Sequence, residues 1–153
     1  MARPKSFLLD TGILLHWIRG SHVAQTIDGQ FQLQASSFKP LICEVTLGEI
    51  YAFSRGENWG DARHRKLAEI QSKLVPVDIS DPRVIQAYAD LATLAKRSGW
   101  ALFHEHNDLW IAAATQVSGT TLLTLDKAAF LPLRGTPYLD VIVLDATTGW
   151  PIP

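Results

Sequence analysis

The chain has 153 residues, 14 Lys and Arg against 15 Asp and Glu, and a formal charge of −1 at pH 7; this length suits one domain with a core that needs no staple. A charge near zero speaks neither for nor against nucleic acid, because a local basic rim binds phosphate whatever the total. The single cysteine, Cys43, excludes an internal disulfide, and its apolar context fits a buried thiol in a reducing compartment.

Met1-Ala2-Arg3-Pro4-Lys5 is basic, but Asp10 interrupts the apolar run behind it before signal-peptide length, so no export is expected. No apolar run reaches the ~20 residues of a membrane helix. A cytoplasmic protein with no membrane contact is expected. Residues 6–9 read as a short buried strand, and Ile13, Leu14, Trp17 and Ile18 recur at helical spacing until Gly20. Val23, Ile27 and Phe31 predict a short helix before the polar positions 34–37. The run 40–45 reads as a second strand, followed by a helix with Leu47, Ile50, Tyr51 and Ser54 on one face, ending at Gly56. Positions 61–74 form an amphipathic helix with Leu67, Ile70 and Leu74 inside. A strand at 75–79 follows, and its Pro76 favours an edge or an end. Asp81-Pro82 is an N-cap with proline at the first helical position, opening a helix that presents Val84, Ile85, Tyr88, Leu91, Ala92 and Ala95 and runs to Gly99. Asn107 is expected to cap another helix, through Val117, which Gly119 ends. Strands at 121–125 and 141–144 complete the set, and the proline-containing tail 147–153 is a frayed or docked end.

Strands alternating with helices predict an α/β fold with a parallel sheet covered on both faces. In such sheets, ligands bind beyond the carboxyl ends of the strands, beside the adjoining helix starts. Asp10 closes Phe7-Leu8-Leu9, Glu49 lies beyond Leu41-Ile42-Cys43, and Asp126 closes Thr121-Leu122-Leu123-Thr124-Leu125. Asp108 falls in the first turn of its helix. Each acid alone has an ordinary structural explanation, as a turn residue, a cap, a dipole partner or a solvated side chain. Together they predict a cation site. Unit charges ~4 Å apart repel by about 4 kcal/mol at an effective dielectric of ~20, so clustered carboxylates protonate, separate or share a cation. Oxygen ligands select Mg²⁺ or Mn²⁺, and no Cys/His spacing suggests zinc. A cation so held can activate water and stabilise charge on a phosphoryl oxygen, which makes phosphodiester hydrolysis the natural reaction.

Phe7-Leu8-Leu9-Asp10-Thr11, Val45-Thr46-Leu47-Gly48-Glu49-Ile50, Asn107-Asp108-Leu109-Trp110-Ile111-Ala112-Ala113 and Leu123-Thr124-Leu125-Asp126-Lys127, in this order and spacing, resemble the PIN-domain ribonucleases. The similarity is greatest to the VapC toxins of bacterial toxin–antitoxin pairs and covers nearly the whole length. It implies a single PIN-like α/β/α sandwich over 1–153, Mg²⁺- or Mn²⁺-dependent endoribonuclease activity on RNA, with tRNA among the candidates, homodimerisation, and inhibition by a small VapB-like antitoxin. On this resemblance Asp10, Glu49 and Asp108 match the principal acidic positions, Asp126 the acid of the last motif, and Thr124 a hydroxyl that orients a carboxylate or a water. Where relatives often carry one more acid, this chain has Ala128, Ala129 and Phe130.

His104 and His106 flank the site, but an activated water makes a histidine base unnecessary. Arg19, Arg55, Arg63, Arg65 and Lys66 are candidate phosphate contacts that also read as a solvated helix face. Trp17 and Trp110 read as core or interface. A haloacid-dehalogenase-like phosphatase would need an acid at Gly12, and a receiver domain would need an acidic pair where residues 1–9 have none. The remaining alternative is a non-catalytic PIN-like module that binds RNA or protein.

Overall fold

The computed structural model describes residues 5–35 and 37–153; positions 1–4, whose basic character bore on export, and Ser36 in the polar stretch 34–37 lie outside them. Among the described residues, β1 (Phe7–Leu9), β2 (Leu41–Cys43), β3 (Val75–Val77), β4 (Thr121–Thr124) and β5 (Val141–Val143) pair in parallel in the order β3-β2-β1-β4-β5. Leu8 stands opposite Leu41 on one side and Leu122 on the other, and Leu123 stands opposite Ile142. The period of two along each strand sends neighbouring side chains to opposite faces. Leu8, Cys43, Leu122, Val141 and Val143 join one buried cluster, and Leu9, Ile42 and Leu123 join the other. This produces the runs of apolar residues that a sheet buried on both faces requires.

One layer consists of α1 (Thr11–Arg19), α2 (His22–Phe31) and α4 (Asp61–Gln71), with Ile50 of α3 (Glu44–Gly56), packed on Leu9, Ile42 and Leu123. The other holds α5 (Pro82–Ser98), α6 (His106–Ser118) and α7 (Lys127–Phe130). Ile111, Ala112, Ala113 and Ala114 of α6 are all fully buried. The small side chains of Ala112, Ala113 and Ala114 allow α6 to lie between the sheet and α5. The α2 helix predicted from its four-residue repeat forms with Val23 and Ile27 buried, and Asp81 caps α5 by accepting from the Arg83 N–H. Pro76 lies on the edge strand β3, where a missing N–H costs no pairing within the sheet.

Several expected boundaries and faces differ. Strand β2 ends at Cys43, and α3 begins at Glu44, whose carboxylate suits the positive end of a helix; this overrides the strand preference of Val45. The buried stripe of α3 is Thr46, Ile50 and Ser54, leaving Tyr51 exposed and reaching Gln71 Oε1 at 3.1 Å. On α5, small Ala87 is buried where α5 meets α6, whereas Ile85 is exposed. Asn107 does not cap α6. A 3₁₀ turn at Ala101–His104 delivers the chain two residues earlier, Glu105 is the N-cap, and its carbonyl accepts from Leu109 N at 3.0 Å.

The tail docks. Pro151 bridges to Leu144, Ile152 packs on the core, and Gln30 Nε2 donates to the Gly149 carbonyl at 2.8 Å. No helix among the described residues is long and apolar enough to cross a membrane.

Candidate active site

From β1 the chain builds the sheet outward through β2 to β3, then crosses back and continues from β4 to β5 on the other side. The order reverses between β1 and β4, and at such a reversal a crevice opens beyond the strands' carboxyl ends. Asp10 immediately follows β1, and Asp126 follows β4 by two residues. Asp108 is the third residue of α6, and Glu49 is in the second turn of α3 rather than at a strand end. Glu49, Glu105, His106, Asn107, Asp108 and Asp126 line an open cleft of roughly 460 Å³. Asp10, only 5% exposed, does not line this cleft but interacts electrostatically with Glu49 and Asp126.

Asp10 and Asp126 are each held by their local structure. As N-cap of α1, Asp10 accepts from the Thr11 N–H through Oδ1 at 2.7 Å, and through Oδ2 it accepts from the buried Thr124 hydroxyl at 2.6 Å. Thr124 Oγ1 in turn accepts from Asp126 N at 2.9 Å, so one hydroxyl links the chain ends of β1 and β4. Asp126 caps α7 by accepting from Ala129 N at 3.0 Å. Glu49 Oε1 accepts from the Thr11 hydroxyl at 2.7 Å, and Thr46 Oγ1 lies 3.1 Å from that hydroxyl.

These carboxyls repel one another. Burial raises Asp10 from the ordinary 3.8 to about 6, against the lowering effect of the Thr124 and Thr11 bonds, and the charges of Asp126 and Glu49 add to the rise. Asp108 is raised as well, first by desolvation and then by Asp10, Asp126 and Glu49, with a carboxyl hydrogen bond to Asp126 favouring its protonated form. Carboxyls raised by burial and by like charges at or beside a cleft are candidates for a functional site. Among the described residues, no three His, Cys, Asp or Glu side chains form, as they stand, a set able to hold a metal ion. The carboxylates of Glu49, Asp108 and Asp126 in the lining are hard oxygen donors, and one or two of them completed by water and substrate oxygens is the kind of site Mg²⁺ prefers.

His106 lines the cleft, where its Nδ1 lies 3.2 Å from the Tyr88 hydroxyl; His104 ends the 3₁₀ turn and is exposed. None of Arg19, Arg55, Arg63, Arg65 and Lys66 lines the cleft; the Arg19 guanidinium lies over Phe53 and that of Arg63 over Trp59. Trp17 is core, and Trp110 stacks on Tyr88 with centroids 4.1 Å apart. Ala129 and Phe130 are buried core residues. Cys43 is buried and pushed up to about 11, which makes it inert as a nucleophile. Thr11 and Thr46 were missed by the sequence reasoning. Their positions, directly after Asp10 and three residues before Glu49 on the same helix side, are the signal that was available.

The PIN domain family model matches residues 7–131. Among solved structures, the fold is similar to VapBC2 from Rickettsia felis bound to a DNA fragment from their promoter, with a TM-score of 0.72 and 20% identity over 88% of this chain and 96% of that one. It is also similar to FitAcB from Neisseria gonorrhoeae, at 0.66 and 19% over 88% and 95%. VapBC-1 from nontypeable Haemophilus influenzae gives 0.65 and 17% over 92% and 98%. No curated protein matches the sequence.

Proposed function

Because the chain belongs to the PIN domain family, we propose that it is a divalent-metal-dependent endoribonuclease, the toxin of a toxin–antitoxin pair. The observation that carries the reading is the set of mutually repelling carboxyls of Asp10, Glu49, Asp108 and Asp126 at the sheet's reversal point, with Asp10 and Asp108 both raised first by burial and further by their neighbours' charges. Such a set is costly unless a cation shares it. In this proposal the whole chain, 1–153, is one PIN-like domain working in the cytoplasm as a homodimer. A small VapB-like antitoxin restrains it, a partner suggested by the VapBC and FitAcB structures the fold is similar to.

Asp10, Asp108 and Glu49 would hold one Mg²⁺ or Mn²⁺ directly or through water, and Asp126 completes the acidic shell. When bound, the cation would supply water activation and charge stabilisation at the scissile phosphate. Thr124 keeps Asp10 Oδ2 aimed by its 2.6 Å bond, so the carboxylate does not have to be reoriented at the moment of reaction. The N-cap of α6 makes no side-chain hydrogen bond, so the first N–H groups of the helix would be available to a substrate phosphate. The products carry 5′-phosphate and 3′-hydroxyl.

The test is cleavage of labelled total RNA and tRNA by purified wild-type, Asp10→Asn and Asp108→Asn proteins with Mg²⁺, with Mn²⁺ and with EDTA. Discrete metal-dependent products that vanish in the variants are expected. No cleavage by antitoxin-free wild type would refute the nuclease reading and leave a non-catalytic binding module.

A further inference from the structure

Thr11 hydrogen-bonds two different carboxylates. Its backbone N–H donates to Asp10 Oδ1 at 2.7 Å, and its hydroxyl donates to Glu49 Oε1 at 2.7 Å. A hydroxyl has one proton to give. With that proton committed to Glu49, the 3.1 Å contact between Thr11 Oγ1 and Thr46 Oγ1 must be donated by Thr46, which makes a directed chain from Thr46 through Thr11 to Glu49. Thr46 is fully buried, so its hydroxyl has no water to turn to. It sits one helical turn before Glu49 in α3, and both bonds leave α3 toward the first residue of α1.

We infer that Thr11 is a positioning residue that ties Glu49 on α3 to Asp10 at the end of β1, and that Thr46 sets the direction of its hydroxyl. Glu49 is half-buried on a flexible side chain, and this hydroxyl removes part of the freedom that would otherwise be lost when an ion binds. The backbone bond to Asp10 survives any side-chain change at position 11, so substitution there releases Glu49 selectively. The inference rests on the cation-site reading above.

Its test is Mn²⁺ binding to the full, antitoxin-free chain, followed by electron paramagnetic resonance of the free ion and so independent of cleavage. Thr11→Val is expected to weaken binding about 10-fold or more, the scale on which loss of a ligand-supporting hydrogen bond acts. Thr46→Val weakens it in the same direction, and Thr11→Ser and Thr46→Ser, which keep the hydroxyls, stay near wild type. In a Glu49→Ala background, Thr11→Val adds less than about 2-fold, because the hydroxyl then has nothing to hold. Should Thr11→Val melt below the assay temperature, Thr11→Ala and Thr46→Val carry the same comparison. Wild-type affinity in Thr11→Val, or an equal loss with and without Glu49, overturns the inference. Wild-type protein that binds no Mn²⁺ overturns it together with the cation site. Wild type that binds Mn²⁺ but cuts no RNA removes the nuclease reading alone, and the binding series still decides the role of Thr11.

Discussion

Replacing Asp10 with Asn should stabilise the metal-free protein at pH 8. Asp10 is 5% exposed, and its carboxyl rises from 3.8 to about 6, chiefly through burial. At 1.36 kcal/mol for each tenfold change in proton affinity, that rise is worth about 3 kcal/mol. The fold binds this proton more tightly than the unfolded chain does. The associated stability is therefore complete below 3.8 and is lost as pH climbs through about 6. Roughly half of the loss is already present at pH 5 and nearly all of it at pH 8. Asn removes the charge but offers one acceptor where Asp10 offers two, so either the Thr11 N–H or the Thr124 hydroxyl goes unpaired, at a cost of about 1–2 kcal/mol. The net gain at pH 8 is about 1–2 kcal/mol, which at about 2–4 °C per kcal/mol raises Tm by several degrees. At pH 5 the gain should fall to near zero. The assay is thermal unfolding of both proteins in EDTA at the two pH values, with Mg²⁺ added back at pH 8, where wild type should gain stability and the variant much less. A Tm lowered equally by Asp10→Asn at both pH values would refute the argument that the buried carboxylate opposes folding.

Thr124→Val strips Asp10 Oδ2 and Asp126 N of their shared partner and should slow single-turnover RNA cleavage about 10–100-fold. It should also move the acid limb of the pH–rate profile upward, since the bond that lowers Asp10 is gone; an unchanged rate and profile would exclude the orienting role. Asp108→Asn should abolish metal-dependent cleavage while raising Tm in EDTA at pH 8, because Asp108 is raised by burial and by its acidic neighbours. Full cleavage by that variant would remove Asp108 from the acidic set. Gly149 has φ 80°, and an added Cβ would meet the Val23 carbonyl oxygen at 3.0 Å. Gly149→Ala should therefore cost at least about 1 kcal/mol, read as a lower urea midpoint, and an unmoved midpoint would mean the tail is not docked as described.

Strand and helix alternation was legible because each element carries its own period. Leu8-Leu9 and Leu122-Leu123 announce a sheet buried on both faces, and Val23, Ile27 and Phe31 announce α2 even in a weak stretch. The placement of the acids at 10 and 126 was legible for a related reason: chain direction dictates which end of a parallel strand faces the crevice, so an acid after a strand has only one place to be, and Asp108 was placed by the helix start that adjoins the same end. The true start of α6 was not, because the 3₁₀ turn before it moved the N-cap from the favourable Asn107 to the unfavourable Glu105, a choice made by packing and not by propensity. Nor was the burial of Ala87 over Ile85, which depends on where α6 lies. The hydroxyl links are the clearest case. Thr11 meets Thr46 and Glu49 across 35 and 38 residues, and Thr124 meets Asp10 across 114. A local sequence pattern states that acids will gather at one end of the sheet's strands, but which donor holds which oxygen is decided only when the closed core brings α3 and β4 each within hydrogen-bond distance of the β1–α1 junction.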